Sequence, residues 1–180
     1  MKLTLTFTLL TSLVAVAFAS VADTVNNIEN IKTQILTLHN TVAALPDTGG
    51  SLLSAMSLHS GASNVVAATK KGIADFNGLP KPLSEADGDQ ILAAYQGVEP
   101  GISDVSSTIV AKRDTFRSVP LVGSLVNPVA QYYFITTRAF GSQLLDAFTA
   151  AGASDAQLDR AKSLKTFTEA AIDRAIAAYS

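Results

Sequence analysis

The chain of 180 residues has no cysteine and no tryptophan, only two histidines, and charged residues at 16%. Each shortage excludes something. Without cysteine no disulfide can crosslink the fold, so apolar packing must hold it together. Two histidines, His39 and His59, supply no His-Glu-x-x-His pair for a metal; each reads as a structural or edge residue. A nucleophile elbow of the Gly-x-Ser-x-Gly kind is missing: Gly61-Ala62-Ser63-Asn64-Val65 and Gly101-Ile102-Ser103-Asp104-Val105 both lack the closing glycine. No basic stripe interleaves with aromatics, which argues against nucleic acid as a partner. Asn-x-Ser/Thr acceptors are absent. Ordinary globular proteins carry roughly 25% charged residues, so this surface is weakly charged. Ser, Thr, Ala, Gln and Asn fill its polar positions.

What is present begins with a leader. Residues 1–19 hold one early cation (Lys2), an apolar run over 3–18, and Ala17-Phe18-Ala19 before Ser20. Small residues at the last and third-last positions suit signal peptidase. The run is too short and too poorly flanked to read as a membrane span. Residues 20–180 then form the mature chain of 161 residues, with net charge −3. That length fits a single domain with a real core. The C-terminal residues 175–180 are too short and polar for a lipid-anchor tail, so release rather than anchoring is expected.

Five segments carry helical periodicity. The first places Val25, Ile28, Ile31, Ile35, Leu38, Val42 and Leu45 at steps of three and four, and ends at Pro46-Asp47-Thr48-Gly49-Gly50. The second, over 51–76, puts Leu52, Met56, Val66 and Ile73 on one stripe, with His59 in the same phase. The third opens with Ser84-x-x-Asp87, a capping-box-like start. It continues through Ile91, Ala94, Tyr95, Val98, Ile102, Val105, Ile109 and Phe116. Pro100 interrupts it, yet the apolar phase survives, so one helix kinked near Pro100 is expected. The fourth, over 125–150, carries Val126, Ala130, Tyr133, Thr137, Phe140, Leu144 and Ala147. Tyr132, Phe134 and Phe148 widen its face, and Gly152 caps it. The fifth starts with Ser154-x-x-Gln157 and runs through Leu158, Ala161, Leu164, Phe167, Ala171, Ala175 and Ile176. The fold class that follows is all-α: an antiparallel bundle of about five amphipathic helices.

Charged groups suggest no catalytic centre. Glu85, Asp87 and Asp89 lack the ligand series of a calcium loop and read as charge complementing a helix N-terminus. Lys112, Arg113 and Arg117 read as a match to a helix C-terminus, with a cationic mouth for an anionic head group as the sharper alternative. The unusual stretch is the fourth segment. Its large rings face small Ala, Ser and Gly positions, an uneven packing that leaves room for an apolar channel. A helix of about 22 residues is roughly 33 Å long, enough for an extended acyl chain. Candidate lining residues are Tyr133, Phe134, Phe140, Leu144 and Phe148, with Ile109 and Phe116 from the third segment.

The leader, Val21-Ala22-Asp23 opening the Val25-x-x-Ile28-x-x-Ile31-x-x-x-Ile35-x-x-Leu38-x-x-x-Val42 run, the cysteine-free five-segment plan and the Pro-Gly break resemble the hydrophobic surface binding protein A family. That group is fungal and secreted and includes cell-wall galactomannoproteins. The resemblance covers residues 20–180. It implies a helical bundle released to the medium or wall that adsorbs to apolar surfaces. It also implies partners: fatty acids held inside the bundle, and a secreted hydrolase recruited to polyester or cutin. The chain lacks the Ser/Thr-rich tail of wall-anchored members. The reading is therefore a secreted, non-enzymatic binder of apolar ligands or surfaces without a cofactor. A secreted protein-interaction module, inhibitor or effector, is the alternative.

Overall fold

A computed structural model describes residues 20–47, 51–118 and 122–179; at 52, 117–118, 122–130 and 179 it describes the backbone only. The leader, the 119–121 connector and the side chains of Leu52, Arg117, Val126 and Ala130 lie outside the described residues. Among the described residues seven helices follow one another: α1 (Val21–Ala43), α2 (Leu52–Asn77), α3 (Glu85–Gln96), α4 (Glu99–Ala111), α5 (Arg113–Ser118), α6 (Val122–Ala150) and α7 (Asp155–Tyr179). No strand occurs among the described residues. The all-α expectation holds, and the third segment accounts for α3, α4 and α5 together.

Side-chain caps set the helix starts. Ser20, Ser51 and Ser84 accept hydrogen bonds from the backbone N–H groups of Asp23, Ser54 and Asp87 at 3.0, 3.1 and 3.2 Å. Ser154 and Gln157 close a reciprocal capping box at α7: Ser154 N–H donates to Gln157 Oε1 at 3.3 Å, and Gln157 N–H to Ser154 Oγ at 3.4 Å. Gln157 Nε2 also donates to the Glu85 carbonyl at 2.8 Å, tying the start of α7 to the start of α3. Gly152 ends α6 with φ +68°, a left-handed conformation that glycine adopts without cost. The Ala153 N–H then reaches back to the Phe148 carbonyl at 3.0 Å, the Schellman arrangement.

The break in the third segment falls at Gly97–Val98, just before Pro100 in the first turn of α4. Both residues keep right-handed helical dihedrals, and Val98 N–H donates to the Tyr95 carbonyl at 2.8 Å, a tightened turn. The apolar phase runs across it: Ile91, Tyr95, Val98, Ile102, Val105 and Ile109 are all buried.

The helices close into a ring. α1 packs on α2, α2 on α6, α6 on α7 and α7 on α4; α4 returns to α1, and α3 also touches α1 and α7. Gly72 lies against Ile31 and Gly61 against Leu38, so α1 and α2 run in opposite directions. Gly141 against Lys165 and Arg138 with Asp173 show the same for α6 and α7. Consecutive long segments thus alternate, as an antiparallel bundle requires. The ring itself closes on neighbours that run the same way. Phe76 meets Phe140 and Lys70 meets Tyr132 across α2 and α6.

Two stripes differ from expectation. On α2 the buried face is Ala55, Leu58, Ala62, Val65, Val66, Thr69 and Phe76, while Met56 is 60% exposed and His59 lies in solvent. The step from Met56 to Val66 is ten residues, not a whole number of turns at 3.6 per turn. Small alanines, not the larger methionine, hold the inward phase. On α6 Tyr132 does not widen the core face. It is 45% exposed, with the Lys70 ammonium 5.0 Å above its ring. On α7 Phe167 and Ile176 lean outward and Thr168 takes the buried position.

Candidate functional site

All seven residues expected to line an apolar channel are buried: Tyr133, Phe134, Phe140, Leu144, Phe148, Ile109 and Phe116. Their surroundings separate them. Phe140 sits between two other rings, with centroids 5.1 Å from Phe76 and 4.9 Å from Tyr95, both stacked. Gly72 makes room on one side: a Cβ there would stand 3.0 Å from the Phe140 ring. Tyr95 is sealed in, and its hydroxyl meets Thr168 Oγ1 at 3.1 Å. Burial pushes the Tyr95 phenol far above its ordinary range, and the Thr168 hydrogen bond opposes that only in part. The three-ring stack is dense interior packing.

Tyr133 and Phe134 form a tilted pair at 5.5 Å. The Tyr133 hydroxyl finds no hydrogen bond of good geometry, nor does that of Thr137 one turn along. Burial drives the Tyr133 phenol upward, with the nearby Thr137 hydroxyl opposing it. Buried polar groups without partners are uncommon and call for an explanation.

A cleft of about 210 Å³ lies between α4 and α7. Ser106, Ser107 and Val110 form one wall; Ala171, Arg174 and Ala175 form the other. The register of α6 against α7, fixed by Arg138 with Glu169 and Asp173, sets Tyr133 and Thr137 level with this stretch of α7. Ser106 is 3% exposed, and its Oγ also lacks a partner. Most cations are committed elsewhere. Arg160 pairs with Asp89 at 2.6 Å and Lys165 with Glu169 at 2.9 Å. Arg174 makes no ion pair or hydrogen bond among the described residues.

The cationic-mouth alternative at Lys112, Arg113 and Arg117 does not describe Lys112. Its ammonium donates to the Leu45 carbonyl at 2.7 Å and to Asp47 Oδ1 at 2.6 Å, latching the end of α4 to the end of α1. That hydrogen bond and charge hold the Asp47 carboxyl below its ordinary range. Lys112 is sited beyond the last turn of α4, but its head group serves α1. Among the described residues no cluster of His, Asp and Glu has the geometry of a metal site, and no helix is long and apolar enough to cross a membrane.

Sequence reasoning missed the cleft. Its walls are Ser, Ala, Val and one Arg, residues without a pattern of their own. A signal was available: Ala171 and Ala175 recur at helical spacing on the inward face of α7, where larger side chains would close the seam.

With the ring of helices and its cleft in view, comparison with known proteins places the chain. The profile of hydrophobic surface binding protein A matches residues 21–131. The chain belongs to that family. Curated proteins offer no match. Among solved structures the bundle is similar to AFMP4P in complex with palmitic acid. The TM-score is 0.77 and the identity 27%, over 89% of this chain and 100% of that one. It is also similar to ligand binding domain 1 of Penicillium marneffei MP1 protein, complexed with arachidonic acids, with TM-score 0.63 and 17% identity over 88% and 99% of the two chains. Domain 2 of the same protein, also with arachidonic acids, gives TM-score 0.66 and 15% identity over 86% and 90%. At such low identity these two domains speak for the fold alone.

Proposed function

We propose that this member of the hydrophobic surface binding protein A family takes up a long-chain fatty acid between its helices. The observation that carries the reading is the likeness to the palmitate-bound AFMP4P bundle along nearly the whole chain. Two features of the chain support it: a cysteine-free core, free to rearrange without breaking a crosslink, and a seam of small residues at α4 and α7. A cleft of about 210 Å³ is smaller than the roughly 300–1,000 Å³ of ordinary ligand pockets. A whole acyl chain would fit at this cleft only with α4 moved away from α7. Of the seven expected lining residues, Ile109 and Tyr133 lie at the level of the cleft and are proposed to meet the tail first. Phe134, Phe140, Leu144, Phe148 and Phe116 are proposed as walls reached only when the ring opens.

Adsorption to apolar surfaces is a second reading, favoured by Leu36, Leu53, Met56 and Ile135, which expose 56–73% of their surface, and by the family's description. Secretion to the medium or wall after removal of residues 1–19, and delivery of a hydrolase to an apolar substrate, belong to the same proposal. They rest on the leader and the family.

Native mass spectrometry of the secreted protein, followed by palmitate titration of the delipidated form, tests uptake. One bound acyl chain per protein is expected, and added palmitate should raise the melting temperature. A delipidated protein that neither binds palmitate nor partitions onto wax would sink both readings. Tight capture of a single host protein under those conditions would favour an interaction module instead.

A further inference from the structure

We propose that the α4–α7 cleft is the carboxylate anchor of the bundle, with Arg174 and Ser106 holding the acid group; this rests on the fatty-acid reading above. The inference starts from a buried hydroxyl without a partner and a solvent-exposed guanidinium without a carboxylate, on opposite walls of one cavity. Ser106 Oγ is buried and unpartnered, so it forgoes a hydrogen bond that a surface serine would make with water. Arg174 lines the same cavity with no carboxylate committed to it among the described residues. Its neighbour in sequence, Asp173, is engaged by Arg138 at 3.0 Å on the α6 side of α7. A donor hydroxyl and a free guanidinium around a small space form a site for an acceptor-only anion.

The rest of the wall specifies what the anion carries. Val110, Ala171 and Ala175 are apolar, and Ala171 and Ala175 are 1% and 0% exposed. A phosphate or sulfate would leave most of its oxygens against methyl groups. A carboxylate presents only two oxygens, and its tail is compatible with alanine and valine. Ala171 and Ala175 keep the α7 wall of the cleft small and apolar beside Arg174. The geometry therefore suits a head-group site at the rim with the tail directed between the helices. Ser107 and Arg174 are both exposed, which keeps the acid group near solvent, where the guanidinium retains its hydration.

The experiment compares two ligands with the same tail, palmitic acid and palmityl alcohol, on delipidated full-length secreted protein. It uses wild type, Arg174→Gln, Arg174→Lys and Ser106→Ala, with melting curves to confirm folding. Arg174→Gln is expected to weaken palmitate about tenfold, the scale of one partly exposed charge-assisted hydrogen bond. It should leave the alcohol within about twofold, since no charge is lost against a neutral head. Arg174→Lys should recover part of the loss, because charge returns without the planar fork. Ser106→Ala should weaken palmitate by a smaller factor. Wild type that binds palmitate while Arg174→Gln binds it equally well overturns the anchor and leaves the uptake reading standing. Equal losses for acid and alcohol also overturn it, since they would report a damaged tail path. Wild type that binds neither ligand overturns the uptake reading and the anchor together.

Discussion

The two non-sequential joints on either side of the α6–α7 pair are built from opposite materials. Where α6 meets α2 and α3, Phe76, Phe140 and Tyr95 stack in a continuous run, and Gly72 is pressed against Phe140. Where α7 meets α4, the facing side chains are Ser106, Val110, Ala171 and Ala175, and a cavity remains. One joint is filled by stacked rings; the other keeps a cavity among small side chains. On the proposed reading, stability and capacity for a guest fall to different parts of one ring, so each can be altered with limited effect on the other.

The strongest way to break this contrast is Phe140→Ala. Removing a ring stacked on both faces should cost about 3–5 kcal/mol, read as a lower urea midpoint. A loss well under this range, accompanied by a marked drop in palmitate affinity, would move Phe140 from the stack to the ligand wall. Gly72→Ala comes next. Its new methyl would meet Ile31 Cδ1 at 2.9 Å and the Phe140 ring at 3.0 Å. Overpacking of about 1–3 kcal/mol should outweigh a helix-propensity gain of about 0.5–1 kcal/mol. A stabilised Gly72→Ala would show that the stack has slack.

The seam should answer with the opposite sign. Ser106→Ala removes a buried hydroxyl that has no partner, and the unliganded protein should gain up to about 1 kcal/mol. Loss of stability on that change would mean that the hydroxyl is satisfied in solution. The smallest effect concerns Glu99 at the start of α4. Burial holds its carboxyl above the ordinary range, so the folded protein keeps a proton that the unfolded chain has released. Stability then falls as pH rises from the unfolded value to the raised one. Glu99→Gln should therefore raise the melting temperature slightly at neutral pH and change nothing below the ordinary glutamate range. An equal rise at both pH values would sever Glu99 from this linkage.

Legibility in the sequence followed the strength of the periodic signal. The isoleucine run of α1 and the inward face of α3 and α4 could be read directly, because large apolar side chains at steps of three and four leave one phase open. Ser84, Ser154 with Gln157, and Gly152 marked helix ends because their roles are local. α2 was misphased at Met56 and His59, since alanine signals inwardness weakly and methionine strongly. The aromatic stretch of α6 stood out, but sequence could not show that Phe140 is held between Phe76 and Tyr95, residues far away in the chain. The cleft was hidden for the same reason. It is a property of what two distant helices do not place opposite each other.

The closure of the ring also bears on timing. The α1–α2 and α6–α7 pairs are close neighbours in sequence and can form as local hairpins. The α4–α7 joint brings together stretches separated by α5 and α6, so it costs more chain entropy to make. Its small facing residues return little of that cost. The seam should be the last joint shut during folding and the first to breathe in the native state. Amide hydrogens of α4 would then exchange ahead of those in the Tyr95–Phe140 layer.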